Sequence, residues 1–479
     1  MFRLNDLARA VPESRSLGDT NVKWKNISID SRTITPGDLF FALKGENHDG
    51  HQFIGDACKK GASGIVLEKN FYTNHKSFFD ACQSPLLLVE NSIVALQQWA
   101  HYYHSLYNPF DICITGSNGK TTTKEMIAHL LKLNYHVLKS QGNYNNEIGV
   151  PLTLLALKSY HNVLVMEMAA QKVGEIKELT NIVKPDIAVI TNVGEAHIGL
   201  FGTKNNIARE KSEIIIALKE KGTAILNRDD FYFNYFRERI SPDIELIDFG
   251  FHPKARIRAE NIRQEKESGI HFNLILEGNE THHVFIPLLG KFNVYNTLAA
   301  ICVAVKMDIP IDNIIRRIAS FKGLQMHMEY RVFGRGITLV QDYYNANPTA
   351  MKEALSSVAC ISGGRFKVAV LGDMLELGDQ TTDYHREVGR FAAQLSFNMI
   401  IGFGKYGIII GQAAEKEGMK RENIYYFHRE DKEKLANHLE DTVPDNSIVL
   451  LKGSRNMQME EIVRYWLEKR KTKGGSFHV

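Results

Sequence analysis

No Cys-x-x-Cys pair occurs in this 479-residue sequence, and its five cysteines (Cys58, Cys82, Cys113, Cys302 and Cys360) are scattered and odd in number. That excludes a disulfide framework and a thiolate zinc site, and it makes a reducing cytoplasm the expected compartment. Charge of one sign is lacking too: 58 Lys and Arg stand against 55 Asp and Glu, a formal charge of +3. A protein that coats a polyanion needs a strong basic excess or a basic face, so no nucleic-acid partner is expected. No apolar run approaches the ~18 residues of a membrane span, and Asp6 stands where a signal peptide would carry its apolar core. Glycine (36) and proline (12) are not enriched, and apolar residues make up 44% against 24% charged, which excludes a disordered or fibrous chain. At roughly 150 residues per domain, the length corresponds to about three domains.

What is present is alternation. Strand-like runs such as FDICIT, VLVMEM, DIAVI, TAILN, FKVAVLG and NSIVLLK are each followed by polar or helix-patterned stretches, the signature of α/β layers with parallel sheets. Three blocks are expected, 1–105, 106–320 and 321–479, with Asn108-Pro109 as the turn that opens the second. There is no repeat of solenoid period. The basic tail LEKRKTKGGSFHV reads as a frayed terminus rather than a binding arm.

The most informative segment is FDICITGSNGKTTTKEMIAHLL. An apolar strand enters a glycine turn, and Lys120 opens a run with Met126, Ile127, Leu130 and Leu131 at helical spacing. Strand, glycine turn and helix start are what a phosphate-binding loop needs, because N–H groups at a helix N-terminus receive the anion. Gly116, Ser117, Asn118, Gly119, Lys120, Thr121 and Thr122 are therefore the candidate nucleotide-binding residues. Lys120 would reach the terminal phosphates and the Thr121 hydroxyl would ligate Mg²⁺. The general motif G-x-x-x-x-G-K-[ST] is not met, since Ile114 occupies its first glycine position. The competing account is an ordinary strand-to-helix turn with a surface lysine.

From GSNGKTTT onward the sequence resembles the Mur ligase family, ATP-dependent enzymes that form amide bonds on bacterial cell-wall precursors. DSRTITPGDLFFALKGENHDGHQF, GNYNNEIGVPLTLL, TNVGEAHIGLFGT, DYYNANPTAMKEAL, LGDMLELG and KGSRNMQMEE carry the resemblance in order along the chain. The diaminopimelate-acceptor string D-[ND]-P-R is absent, which favours the dipeptide-adding branch. The resemblance implies three α/β domains: an N-terminal uridine-nucleotide domain, a central phosphate-loop ATPase-type sheet and a C-terminal Rossmann-like acceptor domain. It implies ATP and Mg²⁺, a UDP-N-acetylmuramoyl-tripeptide donor, a D-alanyl-D-alanine acceptor and a monomer. A donor carboxylate would take the γ-phosphate as an acyl phosphate, and the acceptor amine would displace that phosphate.

Residue roles follow from the same resemblance. Glu167 and His197 match family ligands of Mg²⁺; alone they read as a strand-end carboxylate and a loop histidine. Lys211 matches the lysine that the family commonly carbamylates; alone it reads as a surface lysine paired with Glu210 or Glu213. Asn293 and Asn296 match residues that meet adenine, with helix capping as the structural account of Asn293, and Phe292 stands where the family usually has His. Asp342 matches a ribose contact, with Asn345 and Asn347 beside it on a turn that an Asx motif would also explain. Ser31 and Arg32 resemble contacts of the uridine diphosphate, and Asn145 and Asn146 resemble substrate contacts. Lys452, Ser454 and Arg455 are candidates for an acceptor carboxylate. The family's Gly-Arg is Gly323-Leu324 here, leaving the role of Arg331 open, and its Met-Gly-Ala loop carries Ala169 and Gln171 instead. The rival readings are another Mur-type ligase, folylpolyglutamate synthase among them, and a phosphate-loop ATPase with no ligase chemistry.

Overall fold

The structure is a computed structural model that describes residues 2–45, 48–81, 83–332 and 334–472; Cys82 and the end of the basic tail lie outside them. The chain divides into two compact units, one of Met1–Asp111, Tyr135–Met168 and Lys177–Pro185, the other of Ile112–Asn134, Ala169–Ile176 and Asp186–Val479.

The first unit holds a five-stranded sheet in the order Arg15–Leu17, Leu86–Val89, Gly64–Glu68, Leu39–Phe41, Ile27–Ser28, antiparallel only at its first pair. Phe40, Ile54, Ile65, Leu67 and Leu88 form its core. Asn91 caps the helix Ser92–Ser105 by accepting from the N–H groups of Ile93 (2.9 Å) and Val94 (3.0 Å). That helix buries Trp99, whose ring meets Phe2 at 5.2 Å and Trp24 at 5.6 Å. A parallel strand pair, Val137–Lys139 with Val163–Glu167, belongs to the same unit.

In the second unit the strand ending at Thr115 pairs in parallel with Ile187–Ile190, which pairs with Thr223–Asn227 and then Glu245–Gly250. Two antiparallel additions, Gly269–Ile275 and Thr281–Ile286, extend the sheet beyond Ile257–Glu265. Ile187–Ile190 and Thr223–Asn227 are buried along their whole length, as strands covered on both faces must be. The helix Phe292–Lys306 is buried around most of its circumference, through Val294, Leu298, Ile301 and Val303. A six-stranded sheet follows, ordered Glu329–Val332, Thr338–Asp342, Ile448–Lys452, Lys367–Gly372, Met399–Phe403, Ile424–Phe427 and parallel except at its first pair. The expected α/β class with three sheet regions is what the chain forms.

Trp466 is fully buried in the core of this last sheet, against Leu339, Val449 and Leu451. Its indole N–H donates to Glu440 Oε2 at 2.9 Å, and the Arg470 guanidinium donates to the same oxygen at 2.6 Å. Truncating a buried tryptophan removes its packing and leaves a cavity, at a cost of about 3–5 kcal/mol. Trp466→Ala is therefore expected to lower the urea midpoint followed by far-UV circular dichroism, with Trp466→Phe losing less. A loss below about 1 kcal/mol in the Ala variant would contradict this account of the core.

Candidate active site

The glycine turn owes its shape to two absent side chains. A Cβ on Gly116 would stand 1.8 Å from Thr191 Oγ1, and one on Gly119 would stand 2.1 Å from Asn296 Oδ1. Gly119 also has φ +80°, a left-handed conformation that disfavours any other residue. The turn is tied to the segment after the next strand. Ser117 N donates to Asn192 O (2.9 Å), Asn118 N to Asn192 Oδ1 (2.9 Å), and both Thr191 Oγ1 (2.6 Å) and Asn192 Nδ2 (3.0 Å) donate to Asn118 O. The helix Lys120–Leu131 starts immediately after Gly119, so its first N–H groups and dipole face the turn. The Lys120 ammonium folds back onto the carbonyls of Gly116 (2.9 Å) and Ser117 (3.2 Å).

His197 sits in the left-handed region at φ 60° and precedes the short helix Ile198–Phe201. Its Nδ1 is hydrogen-bonded to the Glu376 carboxylate, and this contact holds Glu376 below the usual carboxylate range. Glu195 is buried between the Lys204 ammonium (2.5 Å) and the Thr349 hydroxyl (2.5 Å). Burial raises its proton affinity, but those two donors outweigh the effect and hold it ionised. Asn347 Nδ2 donates to Asn118 Oδ1 at 2.6 Å, so the DYYNANP segment reaches the phosphate turn itself.

Lys211 is not the surface lysine that helical spacing alone suggests: it is 7% exposed. Burial, with the Lys120 ammonium adding repulsion, brings its pKa down to about 7, against the opposing pull of Glu210 and Asp230. The expected pairing with Glu210 is replaced by another. The Glu210 carboxylate accepts from the N–H groups of Gly174 (2.6 Å) and Ile176 (2.7 Å), and burial raises its own affinity for protons. Asp230 is likewise raised by burial while accepting from Val193 N and Tyr232 N, both at 2.8 Å. Lys211 is thus a buried amine among carboxylates already committed to backbone.

The asparagines behave differently from helix caps. The helix begins at Phe292 with Lys291 as its cap, so Asn293 lies inside it and donates to Leu289 O at 2.7 Å. Asn296 donates to Asn293 Oδ1 at 3.0 Å. Beside this helix start lies a cavity of about 580 Å³ lined by Phe251, Lys291, Phe292, Tyr295, Thr349 and Glu353 among others. The Phe251 and Tyr295 rings stack at 4.0 Å, and burial pushes Glu353 up to about 7. The stacked rings give the cavity an aromatic wall of the kind that suits a planar heterocycle.

Asp342 and Lys452 are mutually engaged. The Lys452 ammonium donates to Asp342 Oδ2 (2.6 Å) and Asn345 O (3.2 Å), and Lys452 and Asp342 are both buried. Asn347 caps the helix Pro348–Ile361 through Ala350 N at 3.0 Å, in line with the structural account of that turn. Asn345 Oδ1 accepts from Ala346 N, Ser454 Oγ accepts from Leu375 N at 3.0 Å, and Arg455 pairs with Glu460 at 2.6 Å. Arg331 is exposed and pairs with Glu329 at 2.7 Å. In the first unit Asn145 Nδ2 donates to the buried Glu167 Oε1 at 2.9 Å, while Asn146 Oδ1 accepts from Gly149 N at 2.9 Å. Ser31 is buried, and the exposed Arg32 forks onto Asp30, whose carboxyl this contact draws down to about 2.

Sequence reasoning missed Thr191, Asn192, Glu195, Lys204, Thr349 and Glu376. Glu195 and Glu376 lie inside quoted strings, TNVGEAHIG and LGDMLELG, but only folding shows that they meet partners over 150 residues away, as Glu195 with Thr349 and Glu376 with His197 do. Among the described residues no cluster of three or more His, Cys, Asp or Glu is arranged to hold a metal. The donor set of a Mg²⁺ site would thus have to include hydroxyl or phosphate oxygen.

Family models match in succession: Mur ligase family, catalytic domain, over residues 23–104; Mur ligase middle domain over 114–304; and Mur ligase, glutamate ligase domain, over 328–455. The chain is 35% identical over 445 residues to the UDP-N-acetylmuramoyl-tripeptide--D-alanyl-D-alanine ligase of Bacillus subtilis (strain 168), covering 92% of this chain and 93% of that one. Among solved structures it resembles MurF from Acinetobacter baumannii (TM-score 0.85, 29% identity, 98% and 99% of the two chains). It also resembles MurF ligase from Thermotoga maritima in complex with ADP (TM-score 0.80, 28% identity, 94% and 99%).

The burial of Lys211 makes a prediction about stability. With a pKa of about 7 when folded and 10.5 when exposed, the unfolded chain binds the additional proton between those values, so stability rises with pH across that window. Lys211→Met should remove the penalty. In bicarbonate-free buffer it should stabilise the protein at and below pH 7 by on the order of a few kcal/mol, with the gain fading toward pH 10.5. A pH-independent difference between the two proteins would mean that the amine is not desolvated.

Proposed function

Because the chain belongs to the Mur ligase family, we propose that it joins D-alanyl-D-alanine to a UDP-N-acetylmuramoyl-tripeptide, converting ATP to ADP and phosphate. Whole-length likeness supports this reading, from 35% identity over 92% of the chain to a solved relative in complex with ADP. The observation that carries it is the phosphate turn, a bare glycine cradle with Lys120 at its helix start and Asn347 of the third block bonded to Asn118. Blocks 1–105, 106–320 and 321–479 would then be the donor, ATP and acceptor domains, a division that accords with the three family matches.

A donor carboxylate oxygen attacks the γ-phosphorus, the bond to ADP breaks, and an acyl phosphate forms. The acceptor amine attacks its carbonyl, gives up a proton, and phosphate leaves with the electron pair of the C–O bond. Charge gathers on phosphoryl oxygens in the first step, and Lys120 with the N–H groups of residues 119–122 would neutralise it. Oxygens of Thr121 and Glu167 suit Mg²⁺, with His197 Nε2 as the nitrogen ligand, and the ion when bound would neutralise phosphate charge. The Phe251–Tyr295 stack and Asn296 would receive adenine, and Asp342 the ribose. Ser31, Arg32, Asn145 and Asn146 would contact the donor, while Asn345, Lys452 and Arg455 would contact the acceptor. A lysine held near neutrality presents a free amine, so Lys211 would add CO₂ to give a carbamate and a proton. No helix among the described residues is long and apolar enough to cross a membrane; a cytoplasmic location and a monomeric state are part of the proposal.

Phosphate release measured with ATP, UDP-muramoyl-tripeptide and a panel of acceptors tests this reading. Release should depend on both donor and acceptor and be fastest with D-alanyl-D-alanine. Acceptor-independent hydrolysis would favour a non-ligase ATPase, and faster ligation of diaminopimelate or lysine another branch. Lys120→Ala should lose about a hundredfold in rate, corresponding to roughly 3 kcal/mol, with the fold intact by circular dichroism. Lys211→Arg should be as poor as Lys211→Ala, since neither forms a carbamate, and a small carboxylic acid should restore part of the Ala variant's activity. Full activity in Lys211→Arg would reject the carbamate and leave the ligase assignment standing.

A further inference from the structure

Two turns from distant parts of the sequence are locked together beside the phosphate turn. His197 Nδ1 bonds the Glu376 carboxylate, and Gly199 N donates to the main-chain carbonyl of that same Glu376 at 3.0 Å. Neither turn has room to slide, because a Cβ on Gly199 would stand 2.4 Å from Gly378 N and 2.9 Å from Glu376 O. His197 (φ 60°) and Glu376 (φ 63°) both occupy the left-handed region, which residues carrying a Cβ disfavour. Two such residues facing each other, each held by the other's turn, mark a geometry maintained for the contact and not by local preference.

We propose that Glu376 is a positioning residue that fixes the tautomer of His197, keeping the ring proton on Nδ1 and leaving Nε2 as the nitrogen with the free lone pair. A carboxylate can only accept from a neutral ring, so the nitrogen it faces must carry the proton. A free imidazole prefers the opposite arrangement, with the proton on Nε2, and could then donate to an oxygen but not bind a cation at that atom. Carboxylates hold ligating histidines in this manner in metal sites generally. Glu376 comes from the third block and His197 from the second, so the lone pair becomes available only when the LGDMLELG turn is seated against the His197 turn. The catalytic relevance rests on the proposed ligase reading, but the tautomer does not.

Nitrogen-15 NMR of histidine-labelled protein without nucleotide or metal, at pH 8, reads the tautomer directly, with His197→Gln identifying the resonance. The wild type should show Nδ1 protonated and Nε2 bare. Glu376→Gln, whose amide oxygen still accepts, should keep that pattern and most of the ligase rate. Glu376→Ala should shift the ring toward the Nε2-protonated form and lower kcat at least tenfold. A wild-type His197 protonated on Nε2 would overturn the proposal even if no variant folded, as would an Ala variant with an unchanged tautomer. A correct tautomer in a protein without ligase activity would instead leave this inference intact and remove the proposed function.

Discussion

Gly116 and Gly119 hold the phosphate turn open because polar side chains stand where their own would be. Thr191 Oγ1 occupies the space beside one and Asn296 Oδ1 the space beside the other. Those neighbours come from just after the strand Ile187–Ile190 and from the helix Phe292–Lys306, so the turn is shaped in part by a helix nearly 180 residues further along the chain. The main-chain N–H groups at the helix start are not aimed by the turn alone; Asn192 and Asn347 hold the turn through Asn118. The turn's geometry therefore depends on the register of the sheet, and any change that shifts the strand Ile187–Ile190 is felt at the turn.

Around this cradle, buried charge is almost fully committed. Glu195 has Lys204 and Thr349, Asp230 has two backbone donors, and Glu210 has two more. A carboxylate satisfied by N–H groups offers little to a nearby ammonium, since its lone pairs are already occupied. Burial therefore outweighs the pull of Glu210 and Asp230 on Lys211 and lowers its proton affinity, and the repulsion of Lys120 adds to that loss. An amine in such a position is poorly suited to binding anions, and better suited to becoming one. The helix sequence IAREKSEII carries no hint of this, because its spacing is equally consistent with an exposed lysine.

That contrast indicates which parts were legible in advance. The strand-turn-helix around Lys120 was readable because phosphate binding requires a local sequence pattern, and the alternation of apolar runs gave the layered class. Periodicity placed Glu167 at a strand end and Asn296 in a helical run, but their expected roles came from the family resemblance. Asn293 was readable as an asparagine near a helix start, yet the helix begins one residue earlier and turns its amide back to Leu289. Glu376, Lys204 and Thr349 were not legible, since nothing local distinguishes a surface acid from one that meets a histidine 179 positions away. Burial and pairing at long separation are properties of the fold, and a single sequence does not encode them in any short window.

Asp342 and Lys452 illustrate how pairing revises a role. Read separately, the aspartate awaits a ribose and the lysine a carboxylate. In the fold they end adjacent parallel strands, registered Asp342 to Lys452, and neutralise each other in a buried setting. Breaking a buried pair by removing one partner leaves an uncompensated charge, at a cost of about 3–5 kcal/mol, so neither residue is free to be exchanged for binding alone. The ammonium also reaches the carbonyls of Asp342 and Asn345, which uses all three of its donors. An incoming carboxylate would have to displace one of these contacts. Lys452 therefore acts first on the chain, holding the start of DYYNANP beside the phosphate turn, and any direct contact with acceptor comes at the expense of that hold.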